Sequence, residues 1–136
     1  MTNASSQQDI EVYIRSITLE EIMGWLSSCF TYIDFNQQCL RNFSHGKAFT
    51  GFVEDASSNR ISVFVNPNAA GKSFCSIWFQ SSKTPWDDDI TCAESILKTL
   101  DKEVRCSAAG WTDDESIESE QWWRLDRQGK ELIRWG

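Results

Sequence analysis

The sequence predicts a single α+β domain in which a largely antiparallel sheet packs against two main helices. Three observations support this class: apolar and polar residues alternate in several runs, two capped stretches place apolar residues at helical spacing, and turn-forming residues separate the runs. The chain has 136 residues, 40% of them hydrophobic, which suits one core. We expect residues 1–9 to form a flexible N-terminus and residues 10–136 to form one domain with the element order β-α-β-β-β-α-β-β-β.

The first strand and the first helix are predicted next to each other. Apolar and polar residues alternate from Ile10 to Ile14, which is typical of a half-buried strand. Thr18 and Glu21 then match a capping box, in which each side chain accepts a hydrogen bond from the backbone N–H of the other residue. Behind this cap the apolar residues recur at helical spacing: Leu19, Ile22, Met23, Leu26 and Phe30.

The middle of the chain predicts a meander of three strands. Residues 31–46 show no clear period, so we interpret them as an irregular connection with at most one short helical turn. Three strand-like runs follow, Ala48–Glu54, Ile61–Asn66 and Phe74–Gln80. The residues between these runs are rich in Asp, Asn, Ser, Pro and Gly, which favour turns between antiparallel strands.

A second helix and a C-terminal hairpin complete the predicted fold. Thr84 is predicted to cap the helix, with Pro85 at its first position and Asp87 as the capping-box acid. After a short strand at Val104–Ser107, two further strands are predicted around a turn at residues 127–130. In this hairpin we expect Trp123 and Leu125 to share the core face with Ile133 and Trp135, and Trp122 to face the other way.

The composition narrows the classes of partner and compartment. The formal net charge is −7, which argues against a nucleic-acid binder and favours a basic partner. The first residues resemble no secretory signal and no apolar run is long enough to span a bilayer, so we expect a cytoplasmic protein without a membrane partner. The five cysteines are scattered, and we expect buried or half-buried free thiols.

Nothing in the sequence predicts a catalytic constellation. His45 is the only histidine, no C-x-x-C pair is present, and Gly71-Lys72-Ser73 lacks the first glycine of a phosphate-binding loop. We therefore predict no catalytic residue, no metal and no cofactor.

Two acidic runs, each beside a tryptophan, are the candidate partner-binding residues. The first run follows Trp86 and consists of Asp87, Asp88 and Asp89. The second follows Trp111 and consists of Asp113, Asp114, Glu115, Glu118 and Glu120. A buried Trp with a charged rim is typical of a protein interface. Stabilisation of a helix start and a divalent-metal site stay open for the first run, and a solvated loop stays open for the second.

The size, the charge and the layout together resemble the immunity proteins of bacterial toxin systems, including those of contact-dependent inhibition. The stretches that carry the resemblance lie towards the C-terminus: Pro85–Asp89, Glu103–Ser107, Gln121–Asp126 and Ile133–Trp135. The resemblance implies a bacterial, non-catalytic protein that binds and neutralises a cognate toxin domain, such as a nuclease with a basic surface. A small regulatory or adaptor domain and a small enzyme stay open as alternatives.

Overall fold

The computed structural model describes residues 9–70, 73–81, 83–108 and 121–135. The strands are β1 (Ile10–Arg15), β2 (Tyr32–Asp34), β3 (Phe49–Glu54), β4 (Arg60–Ala70), β5 (Phe74–Gln80), β6 (Val104–Ser107), β7 (Gln121–Asp126) and β8 (Gly129–Arg134). The helices are α1 (Leu19–Cys29), α2 (Gln37–Ser44) and α3 (Asp89–Thr99). The predicted α+β class with an antiparallel sheet is confirmed.

The sheet has eight strands in the spatial order β2-β3-β4-β5-β1-β6-β7-β8, and every pair is antiparallel. β1 lies in the interior of this sheet. It pairs with β5 along its whole length, from Ile10 opposite Phe79 to Arg15 opposite Phe74. On its other side it pairs with β6, where Tyr13 lies opposite Arg105. Within the described sheet, β1 therefore joins the group β2–β5 to the group β6–β8.

One face of the sheet carries the core. Val12, Val63 and Ile77 lie on this face and are fully buried in one cluster with residues of α1 and α3. The ring of Trp25 in α1 contacts Phe79 of β5, with centroids 5.9 Å apart. Because the three helices contribute buried side chains to this cluster, they lie on the same side of the sheet. The opposite face, which has no described helix against it, is called the open face below.

The predicted capping box of α1 is confirmed. The N–H of Glu21 donates to Thr18 Oγ1 at 3.1 Å, and the N–H of Thr18 donates to Glu21 Oε1 at 2.9 Å. The connection over residues 31–46 is more regular than predicted, because it contains β2 and α2. Asn36 caps α2 by accepting a hydrogen bond from the N–H of Cys39 at 2.9 Å.

The start of α3 differs from the prediction. The helix begins at Asp89 with Asp88 as its N-cap, so Thr84, Pro85 and Asp87 lie before it. The Thr84 hydroxyl donates instead to the carbonyl of Trp86 at 3.1 Å. This turn places the Trp86 side chain in the core, and the helix starts only after it.

The predicted faces of the C-terminal hairpin are partly wrong. A turn of two residues places Trp122 opposite Ile133 and Trp123 opposite Leu132. Because side chains alternate along a strand, Trp123 and Leu125 lie on the core face, whereas Trp122 and Ile133 lie on the open face. The prediction for the thiols is confirmed, since all five cysteines are free and each is buried or half-buried.

Candidate functional site

Trp86, a predicted partner-binding residue, lies in the core of the structure. It is only 8% exposed and stacks on Trp25 of α1, with ring centroids 5.4 Å apart and the planes 17° from parallel. Phe30 and Phe79 contact its ring at 5.8 and 5.1 Å. A side chain packed on three sides by aromatic rings has little surface left for contact with a partner.

The acidic run at Asp87–Asp89 is divided between structural and exposed positions. Asp88 caps α3, because its carboxylate accepts hydrogen bonds from the N–H of Thr91 at 2.8 Å and from the Thr91 hydroxyl at 2.6 Å. Asp89 is half-buried and accepts a hydrogen bond from the N–H of Glu11 in β1 at 3.2 Å. Asp87 is exposed. Asp88 therefore caps the helix although it is exposed, Asp89 binds β1, and Asp87 and Asp88 both face solvent.

Burial raises the pKa of Asp89 to about 6. The hydrogen bond from Glu11 lowers this pKa, whereas the negative charges of Glu11 and Asp88 raise it. The charge of Asp89 is thus costly in the folded protein at neutral pH. The other predicted residues, Trp111, Asp113, Asp114, Glu115, Glu118 and Glu120, lie outside the described residues.

The open face carries aromatic side chains where solvent-facing positions of an antiparallel sheet are usually polar. Four adjacent strands each contribute one aromatic residue to a set that we call the aromatic row: Tyr32 in β2, Phe52 in β3, Phe64 in β4 and Trp78 in β5. Tyr32 is 50% exposed and the other three are half-buried. The centroids of Phe64 and Trp78 are 6.3 Å apart, and those of Tyr32 and Phe52 are 6.2 Å apart.

The polar groups around the aromatic row are mostly acidic. Asp34 lies opposite Phe52, and Glu11 lies opposite Trp78. The indole N–H of Trp78 donates to Asp9 Oδ2 at 3.2 Å. With Glu54, these residues provide four carboxylates, and Arg60 provides one cation, which is paired with Glu54 at 3.3 Å. The described surroundings of the row are therefore negative overall.

A second group of rings lies at the other end of the open face. This group, which we call the C-terminal cluster, consists of Tyr13, Phe74, Arg105, Trp122 and Trp135. The centroids of Trp135 and Phe74 are 4.9 Å apart, although three strands separate β8 from β5. In a flat sheet with strands about 4.8 Å apart, the two strands would lie roughly 19 Å apart. The sheet therefore curls towards the open face, and Trp135 lies across it.

An ion-pair network borders the C-terminal cluster. The Glu103 side chain is only 9% exposed. Its carboxylate accepts hydrogen bonds from Arg105 Nε at 2.8 Å, Arg124 Nε at 3.1 Å and Arg15 Nη1 at 3.3 Å. These arginines lower the pKa of Glu103 against the opposing effect of burial, which is the largest single influence on this carboxyl. Asp126 and Glu131 bind Arg124 at 3.3 and 2.9 Å. Three guanidinium groups and three carboxylates thus balance one another here.

The sequence contained a signal for the open face that its interpretation missed. Phe52, Phe64 and Trp78 occupy the positions between the buried residues of their strands, so strict alternation places them on the second face. No residue pattern showed that α1, α2 and α3 all pack on one face.

The described residues offer few other candidate sites. A cavity of about 280 Å³ lies between the end of α2 and the β4–β5 turn, and Ser16, Phe43, Asn68 and Cys75 are among its lining residues. In the part of the chain described, His, Cys, Asp and Glu side chains form no group of three suited to a metal ion. The described helices have at most 11 residues, and none is long and apolar enough to cross a membrane.

Comparisons with known proteins identify no relative of this chain. No family model, no curated protein and no solved structure matches the chain.

Proposed function

We propose that this protein is a non-catalytic binding domain that neutralises a bacterial toxin in the cytoplasm of the cell that produces it. The aromatic row on the open face carries this proposal. Apolar side chains that are partly exposed together on adjacent strands are a typical feature of protein interfaces, whereas scattered single residues are not. The negative rim around the row favours a basic toxin domain, because opposite charges speed up association.

The position of the row supports a role as a binding surface. Tyr32, Phe52, Phe64 and Trp78 have the core beneath them and no described helix above them. A rigid sheet therefore holds these rings in place before any partner arrives, which reduces the entropy lost on binding. Large rings in fixed positions are the side chains that most often dominate binding energy.

Co-purification and growth rescue with a toxin domain from a neighbouring gene, where the genome encodes one, test the proposal. Replacing Tyr32 and Phe64 with Ser removes two rings of the row, and we expect the affinity to fall at least tenfold, equal to about 1.4 kcal/mol. Leu40→Ser is the matched control, because Leu40 is 41% exposed but lies in α2 on the helical side. This control is expected to bind and rescue like the wild type.

Two results would contradict the proposal in different ways. Absence of rescue by the wild-type protein would rule out toxin neutralisation. Rescue that depends on Leu40 and not on Tyr32 and Phe64 would move the interface to the helical side.

A further inference from the structure

The open face binds guanidinium groups of its own chain at two places. Arg60 lies over the ring of Phe52, with its Cζ 4.1 Å from the centroid, and Glu54 binds its Nη2 at 3.3 Å. Arg105 lies 4.7 Å from the centroid of Phe74 and 4.6 Å from that of Trp135. Glu103 binds Arg105 Nε at 2.8 Å. Each place thus combines a ring below the cation with a carboxylate at its side.

A third place has the same parts, but no described cation fills it. Trp78 supplies the ring, with Phe64 packed edge-on against it at 82°. Glu11 lies opposite Trp78 on the neighbouring strand, and Asp9 accepts the hydrogen bond from its indole. Among the residues described, no Lys or Arg forms an ion pair with Glu11 or Asp9.

We propose that Trp78, Phe64, Glu11 and Asp9 form a cation site that receives an arginine side chain of a basic protein partner. This inference rests on the proposed function and names the chemistry of the partner. Arginine suits the site better than lysine, because its planar guanidinium stacks on a ring while it donates to carboxylates at its edge. The two internal arginines show this arrangement on the same face.

The charge at the site favours such a partner. Glu11 is half-buried, and desolvation raises its pKa, although a hydrogen bond from the Tyr13 side chain acts in the opposite direction. A guanidinium beside Glu11 would stabilise the charge of this carboxylate further. The tip of the partner's side chain would then contact carboxylates and an aromatic ring at once.

An acetylated and amidated tetra-arginine peptide is the probe, and tetra-citrulline is its uncharged isostere. The chain has seven Trp, so ¹H–¹⁵N spectra show a small set of indole N–H signals, and Trp78→Phe identifies the signal of Trp78. We expect tetra-arginine to shift the Trp78 indole signal in a saturable way. Tetra-citrulline is expected to leave it in place, and tetra-lysine to bind more weakly than tetra-arginine.

Glu11→Gln tests the contribution of the carboxylate. We expect this variant to bind tetra-arginine about fivefold more weakly, as for the loss of one partly exposed charge pair. Asp87→Asn is the matched control, because it also removes one negative charge but lies next to α3 on the helical side. It should bind almost as tightly as the wild type. If the spectrum of Glu11→Gln shows that this variant does not fold, Asp9→Asn tests the contribution of the second carboxylate instead.

Three outcomes would overturn the cation site. The first is a Trp78 indole signal that tetra-arginine leaves unchanged. The second is an affinity for tetra-arginine that Glu11→Gln and Asp87→Asn lower equally. The third is a signal shift that occurs only when sedimentation shows that the protein self-associates. Growth rescue separates this failure from failure of the proposed function. If the wild type and Glu11→Gln rescue growth equally and the wild type does not bind tetra-arginine, the cation site alone is rejected. Peptide binding at Trp78 without rescue would reject toxin neutralisation alone.

Discussion

Replacing Asp89 with Asn is expected to stabilise the protein at neutral pH. The pKa of Asp89 is about 6 in the folded protein, against an ordinary value of 3.8 for an aspartate side chain. The folded state therefore binds the proton more tightly than the unfolded state does, and ionisation at pH 7 weakens folding. Asn keeps an oxygen that accepts the hydrogen bond from the N–H of Glu11, but it carries no charge to desolvate.

The size of this effect follows from linkage between protonation and folding. A difference of about two pK units corresponds to at most about 3 kcal/mol at pH 7. Loss of the favourable interaction with the start of α3 removes roughly 0.3–1 kcal/mol of the gain. We expect Asp89→Asn to raise the free energy of unfolding by about 2 kcal/mol at pH 7. The penalty in the wild type falls by about 1 kcal/mol between pH 7 and pH 5, because the folded state becomes protonated there.

Urea unfolding at pH 7 and pH 5 measures the effect. The stability advantage of Asp89→Asn over the wild type should shrink by about 1 kcal/mol on going from pH 7 to pH 5. Asp87→Asn removes an exposed charge and should show no such change. Equal pH dependence in the wild type and in Asp89→Asn would refute the reasoning, since the buried carboxylate would then carry no penalty.

Three further predictions address the core, a helix and the thiols. Trp86→Ala should lower the free energy of unfolding by about 3–5 kcal/mol in urea titrations. A loss of less than about 0.5 kcal/mol would contradict this, because such a small loss is typical of a ring at the surface. Gly24→Ala in α1 should stabilise the protein by about 0.5–1 kcal/mol, because no atom lies within 4 Å of the added Cβ, and a lower melting temperature would contradict this. A disulfide reagent at pH 8 should modify Cys29 rapidly and the other four thiols only on unfolding, because those four are buried and burial raises the pKa of Cys75 and Cys106 to about 12. Rapid modification of two or more thiols in the folded protein would contradict this order.

The sequence predicted those strands and helices whose signals come from residues close to one another in the chain. The capping box of Thr18 and Glu21 and the alternation in β1 each lie within a few residues, so the strand and the helix could be predicted from the sequence. α2 was missed as a helix because its residues are mostly polar and only Cys39 is fully buried. Its start nevertheless had a signal in Asn36, a residue type that often caps helices.

The candidate site depended on contacts that sequence patterns do not contain. Trp86 stands beside an acidic run in the sequence, but Trp25, which lies 61 positions earlier, decides its location. The open face likewise depends on which side of the sheet the helices occupy. Alternation separates two faces of a strand, but it does not show which of them stays uncovered.

The interior position of β1 has a consequence for the order of assembly. β1 pairs with β5 and β6, whose residues are about 60 to 95 positions later in the chain. The meander β2–β5 pairs between neighbours in the chain, so it can form early, while β1 waits for its partners. Pairing of β1 with β5 then places Glu11 opposite Trp78, so the proposed cation site is completed only after β5 has formed.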